Sequence, residues 1–386
     1  MPAPGPGSTC RFYAAAAAAV LPLAAAPFAA TTGCGAPPAP AAVAADPAAA
    51  RVIGDRIDAA LTFARERRRL NAAVHGAWQV VHGVLAFGQS FPLEYDGRVV
   101  PALDHLLGGG PIAGWKLRPG RPGVVAVVEE GSTMGQGHPD QWLGYLSQCG
   151  VAGGPRDRGG IPLDTRLVVA GRERSVADLL TQAKHDIRAG QEATWTLMAL
   201  ATYLPTNTTW TAGDGDSWSV ERVVAMEAEA EIFSAACGGA HRLYALAVAV
   251  AARRTEGFAS PADTADREDA DGWTAARRVL DDCIDRARRF QHEDGTFSIH
   301  SFERPGATPD VGARLSATGH VFEVLAVALD EGRIREPWMT RAADRLTTLL
   351  EQTSDVAVEC GGLYHACHGL AIYRRRISAP VPGATP

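Results

Sequence analysis

Three histidines stand at the same position of a repeated apolar segment. They open the segments HRLYALA at His241, HVFEVLA at His320 and HACHGLA at His365. A neutral imidazole can accept or donate a proton near pH 7, and it can also bind a metal ion. The repetition predicts a shared polar site. A single histidine on an apolar helix would more simply be a hydrogen-bonded core residue.

A second polar residue follows each histidine three positions later, which on a helix is the same face one turn away. These residues are Tyr244, Glu323 and His368. Together with the three histidines they form the predicted catalytic set. The alternative interpretation is structural, with each histidine bonded to a neighbouring loop. Polar and aromatic residues near the same end of other apolar segments form the predicted substrate-binding set: His82, His138, Asp140, Glu192 and Trp195.

Cysteines suggest a metal, but no cofactor is firmly implied. Cys237 and His241 are four residues apart, so they could share one helix face. The Cys367-His368-Gly369 segment resembles the zinc-ligand motif of lanthionine cyclases. A zinc site and small buried cysteines are the two interpretations. A disulfide between Cys237 and Cys360 is a further candidate, since both precede apolar segments.

The composition excludes several classes of protein. The 386 residues carry a net charge of -6 with 21% charged residues, so nothing suggests binding to nucleic acid. No Gly-x-Ser-x-Gly and no phosphate-binding loop occurs. The expected partner, by analogy with enzymes built as helical toroids, is a small-molecule or glycan ligand.

Apolar segments alternate with amphipathic, charged segments along the whole chain. This alternation predicts an all-α fold, an (α/α)6 toroid of inner and outer helices, with one or two short β-hairpins in the N-terminal half near residues 93–100 and 166–173. A helical solenoid is the alternative, because periodicity does not establish ring closure. The predicted inner helices lie near residues 75–88, 139–149, 191–203, 239–252, 316–330 and 362–375.

The segment FQHEDGTFS at residues 290–298 resembles half of a repeat in squalene and terpenoid cyclases. Gln291 and Gly295 match the Gln-x-x-x-Gly-x-Trp pattern, and Phe297 replaces its tryptophan. The resemblance extends to the terpenoid cyclase and prenyltransferase superfamily, and it implies a toroid from about residue 190 onward. The cyclases' Asp-x-Asp-Asp motif is missing. The DDCID segment at 281–285 is interpreted as a solvated helix face with ion pairs.

The N-terminus has the pattern of an export signal. Residues 1–34 combine Arg11, an alanine-rich apolar run and small residues, and Cys34 follows Thr-Thr-Gly. Lipidation at Cys34 and ordinary signal cleavage both remain open. We expect a protein exported to the periplasm or cell surface, and lipidation at Cys34 would attach it to the membrane. Residues 35–50 would form a tether, 51–376 the toroid domain and 377–386 a disordered tail.

Two functions from different classes fit these features. The first is an enzyme acting on a glycan or isoprenoid-like substrate through the His, Glu and Tyr groups at the toroid mouth. The second is a non-catalytic binding or scaffold protein at the cell surface. A carboxylate and an imidazole within hydrogen-bond distance at a deep mouth would favour the enzyme, whereas a filled centre would favour the scaffold.

Overall fold

The computed structural model describes residues 47–132, 134–149, 159–258 and 271–379. The predicted signal and Cys34 lie outside the described residues, as does most of the predicted tether. The first helix begins at Pro47, inside the segment interpreted as tether, and the last helix continues to Ser378, inside the predicted tail. In the described part of the chain, no helix has the length and apolar character needed to cross a membrane.

The described residues form twelve α-helices and nine short strands. The helices are α1 Pro47–Arg67, α2 Ala77–Phe87, α3 Ala102–Leu107, α4 Gln141–Leu146, α5 Val176–Asp186, α6 Thr194–Tyr203, α7 Val220–Glu229, α8 Ala240–Thr255, α9 Gly272–Phe290, α10 Val311–Ala328, α11 Pro337–Gln352 and α12 Cys360–Ser378. The strands are β1 Leu70–Asn71, β2 Pro92–Tyr95, β3 Arg98–Pro101, β4 Trp115–Pro119, β5 Val124–Val128, β6 Arg166–Val169, β7 Arg172–Ser175, β8 Thr209–Thr211 and β9 Ser217–Ser219.

The mostly helical fold is confirmed, but the strand prediction was too narrow. Antiparallel pairs β2–β3 and β6–β7 lie at the two predicted places. Two further hairpins, β4–β5 and β8–β9, were not predicted. The first lies in a Gly/Pro-rich segment expected to be a loop. Its second strand reads VVAVV, and this density of β-branched residues favours an extended chain despite the flanking glycines.

The six even-numbered helices pack side by side in chain order. Each contacts the next, from α2 through α4, α6, α8 and α10 to α12, and α12 also packs against α2. All ten residues of α6 are buried, which explains its lack of charged side chains. Helices α1, α5, α7, α9 and α11 are amphipathic, whereas five of the six residues of the short α3 are buried. In α9, Asp281 pairs with Arg277 and Asp282 pairs with Arg286, each one turn away. These ion pairs agree with the interpretation of this segment as a solvated helix face.

Glycines bring α10 and α12 unusually close together. A Cβ atom on Gly319 would lie 2.7 Å from the Cβ of Ala366, and one on Gly362 would lie 2.5 Å from Ser316. A Cβ on Gly369 would meet the backbone of Glu323 at 3.0 Å. Because no larger residue fits at these contacts, the two helices approach closely enough for their polar side chains to meet.

The segment that resembles the cyclase repeat has a structural role at the end of α9. The amide of Gln291 donates to the backbone carbonyls of Gly295 and Trp338, at 3.3 and 2.9 Å. The ring of Phe297 is buried, with its centroid 6.2 Å from that of Trp338. The motif thereby ties the loop after α9 to the start of α11.

Candidate active site between the inner helices

The three histidines of the repeat lie side by side in the interior. The ring centroids of His320 and His365 are 4.4 Å apart, those of His241 and His365 are 4.8 Å apart, and those of His241 and His320 are 5.3 Å apart. All three are buried. Repeat position therefore predicted their meeting. The three residues differ in depth along their helices, because His241 is the second residue of α8, His365 the sixth of α12 and His320 the tenth of α10.

Glu323 holds two imidazoles at once. Its Oε2 accepts a hydrogen bond from Nδ1 of His365 at 2.8 Å, and its Oε1 accepts one from Nδ1 of His368 at 2.6 Å. Its carboxylate is almost completely buried. Burial opposes the charge, but His365 and His368 outweigh it and hold the pKa of Glu323 well below its ordinary value. Glu323 is thus an ionised acceptor that fixes the orientation of both rings.

His365 presents an unused lone pair to the cluster. Its Nδ1 carries the proton given to Glu323, so Nε2 is the unprotonated nitrogen of the neutral ring. That Nε2 atom is buried and has no hydrogen-bond partner. Burial lowers the pKa of His365 to about 4, although Glu323 opposes the shift, so the ring is neutral near pH 7. A buried, unpaired acceptor of this kind is costly unless a ligand or a reaction uses it.

His82 and Tyr145 extend the polar network on the other side of His365. The ring centroids of His82 and His365 are 5.1 Å apart. Nδ1 of His82 donates to the carbonyl of Trp78 at 2.6 Å, so its Nε2 accepts from the hydroxyl of Tyr145 at 2.9 Å. Tyr145 was not among the predicted site residues. The only signal was its place on an apolar helix, four residues after Gln141, whose amide also contacts its hydroxyl.

Cys237 joins the cluster from the turn before α8. The side-chain donor atoms of Cys237, His241 and His320 all lie within 4.8 Å of one another. Cys237 has a φ of 55°, and Gly238 and Gly239 continue in positive φ, so this left-handed turn directs the chain into α8. Burial opposes ionisation of the thiol, but the neighbouring imidazoles of His320 and His241 lower its pKa. Cys237 as a residue is exposed, so it brings the cluster to the surface, whereas its sulfur is enclosed beside the imidazoles of His241 and His320.

The predicted substrate-binding residues line the same end. His138 and Glu192 bond to each other at 2.7 Å, and each side chain is about a quarter exposed, at 26% and 27%. The ring of Trp195 lies 4.7 Å from that of His241. The Asp140 carboxylate accepts a hydrogen bond from the hydroxyl of Thr196 at 2.6 Å. Burial raises the pKa of Asp140 to about 6.

Other sequence expectations fit less well. Tyr244 is buried one turn beyond His241, with its ring centroid 6.3 Å from that of His368. Cys237 and Cys360 are both free thiols, so the candidate disulfide does not form. Cys367 is fully buried, and burial raises the pKa of its thiol to about 12. The zinc-like Cys367-His368-Gly369 motif therefore does not supply the sulfur of the cluster; Cys237 does.

A separate cavity lies beside the cluster rather than within it. Its volume is about 290 Å³, and its walls include Trp115, Trp142 and Lys116. The imidazoles themselves are in ring-to-ring contact, with centroids 4.4 to 5.3 Å apart. Comparison of the chain with known protein families, with curated proteins and with solved structures finds no match.

Proposed function

We propose that this chain is an exported, membrane-associated enzyme that activates water or a hydroxyl group with the imidazole of His365. The observation that carries the proposal is the buried Nε2 atom of His365, which has no partner while Nδ1 is bonded to the Glu323 carboxylate. A base needs a free lone pair, and it needs a group that stabilises the cation formed when the base takes up a proton.

The proton transfer follows from this geometry. Nε2 of His365 takes the proton of a bound water or hydroxyl as that oxygen attacks the substrate, and the imidazolium returns the proton to the leaving group. Glu323 stabilises the transient positive charge without being protonated. Its second bond, to His368, keeps the carboxylate in place during the reaction. Hydrolysis uses this step, whereas an elimination would use the same Nε2 atom to take a proton from a substrate carbon as the leaving group departs.

The gradation of exposure supports a mouth at the Cys237 end. Cys237 is exposed and the pair His138–Glu192 is partly exposed, whereas His365 and Glu323 are buried. A substrate would therefore present one reactive group to the interior, with the rest of the molecule outside. We propose a glycan or isoprenoid-like molecule as this substrate, by analogy with enzymes of similar architecture.

The same proposal includes the toroidal arrangement. It is supported by the order in which the even-numbered helices pack, with α12 returning to α2, and by the amphipathic character of five of the odd-numbered helices. In an (α/α)6 toroid the N-terminal ends of all inner helices face one mouth. This accounts for the meeting of side chains from five helices at one cluster.

The test is turnover by the full chain on panels of polysaccharides, aryl glycosides, esters and isoprenoid diphosphates. The variant His365→Gln should lower the rate by roughly 10²–10⁴-fold. The matched control is His292→Gln, since His292 bonds to the Gly306 carbonyl in the loop after α9, outside the cluster. Equal rates for the wild type and His365→Gln would contradict the proposal. Binding of a glycan without turnover, unchanged in His365→Gln, would favour the scaffold instead.

A further inference from the structure

The geometry points to a zinc site formed by Cys237, His241 and His320, with its fourth position open to water beside His365. Their donor atoms, one sulfur and two nitrogens, all lie within 4.8 Å of one another. One metal ion placed among them would need only small side-chain movements to reach bonds of about 2.0–2.3 Å. The proposed function does not require a metal ion, so zinc binding can be confirmed even if no turnover is found.

The local backbone places the thiol over the next helix. Cys237 adopts a left-handed conformation that a residue with a side chain rarely takes, and such strain is kept where the surroundings demand it. Gly239 follows at a φ of 85°, and a Cβ on it would lie 2.5 Å from the carbonyl oxygen of Ile232. The turn thereby brings the sulfur back to His241, which is only the second residue of α8.

The hydrogen bond of His320 to the backbone occupies one ring nitrogen and leaves the other for a metal. Nδ1 of His320 lies 2.8 Å from the carbonyl of Ser316, and because a carbonyl can only accept, that nitrogen carries the proton. Nε2 of His320 is therefore the ring nitrogen that can bind a metal. Metal-binding histidines usually donate their other ring nitrogen in this way to a carbonyl or carboxylate.

The donor types select the metal. A thiolate with two imidazoles is typical of zinc and other borderline-soft transition metals, whereas magnesium and calcium require oxygen donors. Three protein ligands leave one tetrahedral position for water, which is the arrangement of catalytic zinc sites. The lone pair of His365 lies next to this set, with its ring 4.4 Å from that of His320. Different residues would serve the two roles. Cys237, His241 and His320 would hold the ion, and His365 would accept the proton.

The experiment begins with the full chain, purified without chelator and without a histidine tag. Its metal content is measured by mass spectrometry, and we expect about one zinc per chain. After the zinc is removed, Co²⁺ is titrated into the protein. A thiolate-to-cobalt charge-transfer band should appear in the wild type and vanish in Cys237→Ser. Cys360→Ser is the matched control, because Cys360 is also a free thiol on an inner helix, and it should keep the band.

Two further variants separate this inference from the proposed function. His320→Gln should lose zinc, with an affinity at least 100-fold lower, whereas His365→Gln should keep the ion and lose only turnover. A second measurement uses only the wild type, so it does not depend on the folding of a variant. Excess zinc should protect Cys237 from alkylation by iodoacetamide. If the reconstituted wild type binds no zinc, or if Cys237 reacts equally fast with and without zinc, the site is a thiolate–imidazole pair and the inference is overturned.

Discussion

Nδ1 of His365 lies 2.8 Å from Oε2 of Glu323, and both side chains are at least nine-tenths buried. These residues are 42 positions apart, on α12 and α10. Their contact depends on the close approach that Gly319 and Gly369 permit. An ionised carboxylate in the interior is stable only when it is fully hydrogen-bonded, so this pair links the stability of the fold to the state of the cluster.

Replacement of Glu323 by Gln tests this link. The amide keeps one acceptor but places a donor against one of the two imidazole N–H groups, leaving a buried donor unpaired. We expect a loss of about 1–3 kcal/mol in the free energy of unfolding, measured by urea denaturation. Glu303→Gln is the control, because Glu303 is half exposed, and its substitution should change stability little. An unchanged stability in Glu323→Gln would show that the carboxylate is not held as described.

The substitution Tyr145→Phe removes the hydroxyl that donates a hydrogen bond to Nε2 of His82. The buried Nε2 of His82 would then lack a partner, and we expect a loss of about 1–3 kcal/mol in unfolding free energy. Tyr203→Phe is a matched control, since its buried hydroxyl donates to the Ile161 carbonyl outside the cluster. Both variants should be destabilised, but only Tyr145→Phe should also alter turnover or zinc affinity. Identical functional effects would argue against a role of Tyr145 in the site.

The titration of the Asp140 carboxyl should appear in the pH dependence of the free energy of unfolding. Burial raises the pKa of this carboxyl from 3.8 to about 6, so the folded chain binds the proton more tightly than the unfolded chain does. The stabilising contribution of the protonated form is complete below pH 3.8 and is lost as the pH rises through about 6. Compared with Asp140→Asn, the wild type should therefore lose unfolding free energy over this window. Parallel curves for the two proteins, obtained by urea denaturation across the same window, would contradict the expected titration.

Export is tested on the N-terminus of the native protein. We predict that residues 1–34 or 1–33 are absent from the mature chain, the second case leaving a lipidated Cys34 at the new terminus. Mass spectrometry of protein from the native cell distinguishes the two. If lipid is present, Cys34→Ala should move the protein from the membrane fraction to the soluble exported fraction. An intact Met1 on a cytosolic protein would contradict export.

The sequence predicted the parts of the site that depend on helical periodicity. His241, His320 and His365 share a repeat position, which predicts that they meet, and Glu323 follows His320 by three residues, which places it on the same helix face. The spacing of Cys237 and His241 indicated a metal-binding pair on one helix face, but Cys237 lies before α8, in a left-handed turn in which a non-glycine residue takes a positive φ, and that turn could not be predicted. The pairing of Tyr145 with His82 depends on how two different helices rotate against each other, which periodicity does not set.

X-ray absorption at the zinc edge of the full-length, zinc-reconstituted protein tests the centre most directly. If Cys237, His241 and His320 bind the ion as inferred, the spectrum should show one sulfur at about 2.3 Å and nitrogen or oxygen neighbours at about 2.0–2.1 Å. The sulfur should disappear in Cys237→Ser and remain in Cys360→Ser. A shell without sulfur in the wild type, or a protein that holds no zinc, would contradict a metal centre at these residues.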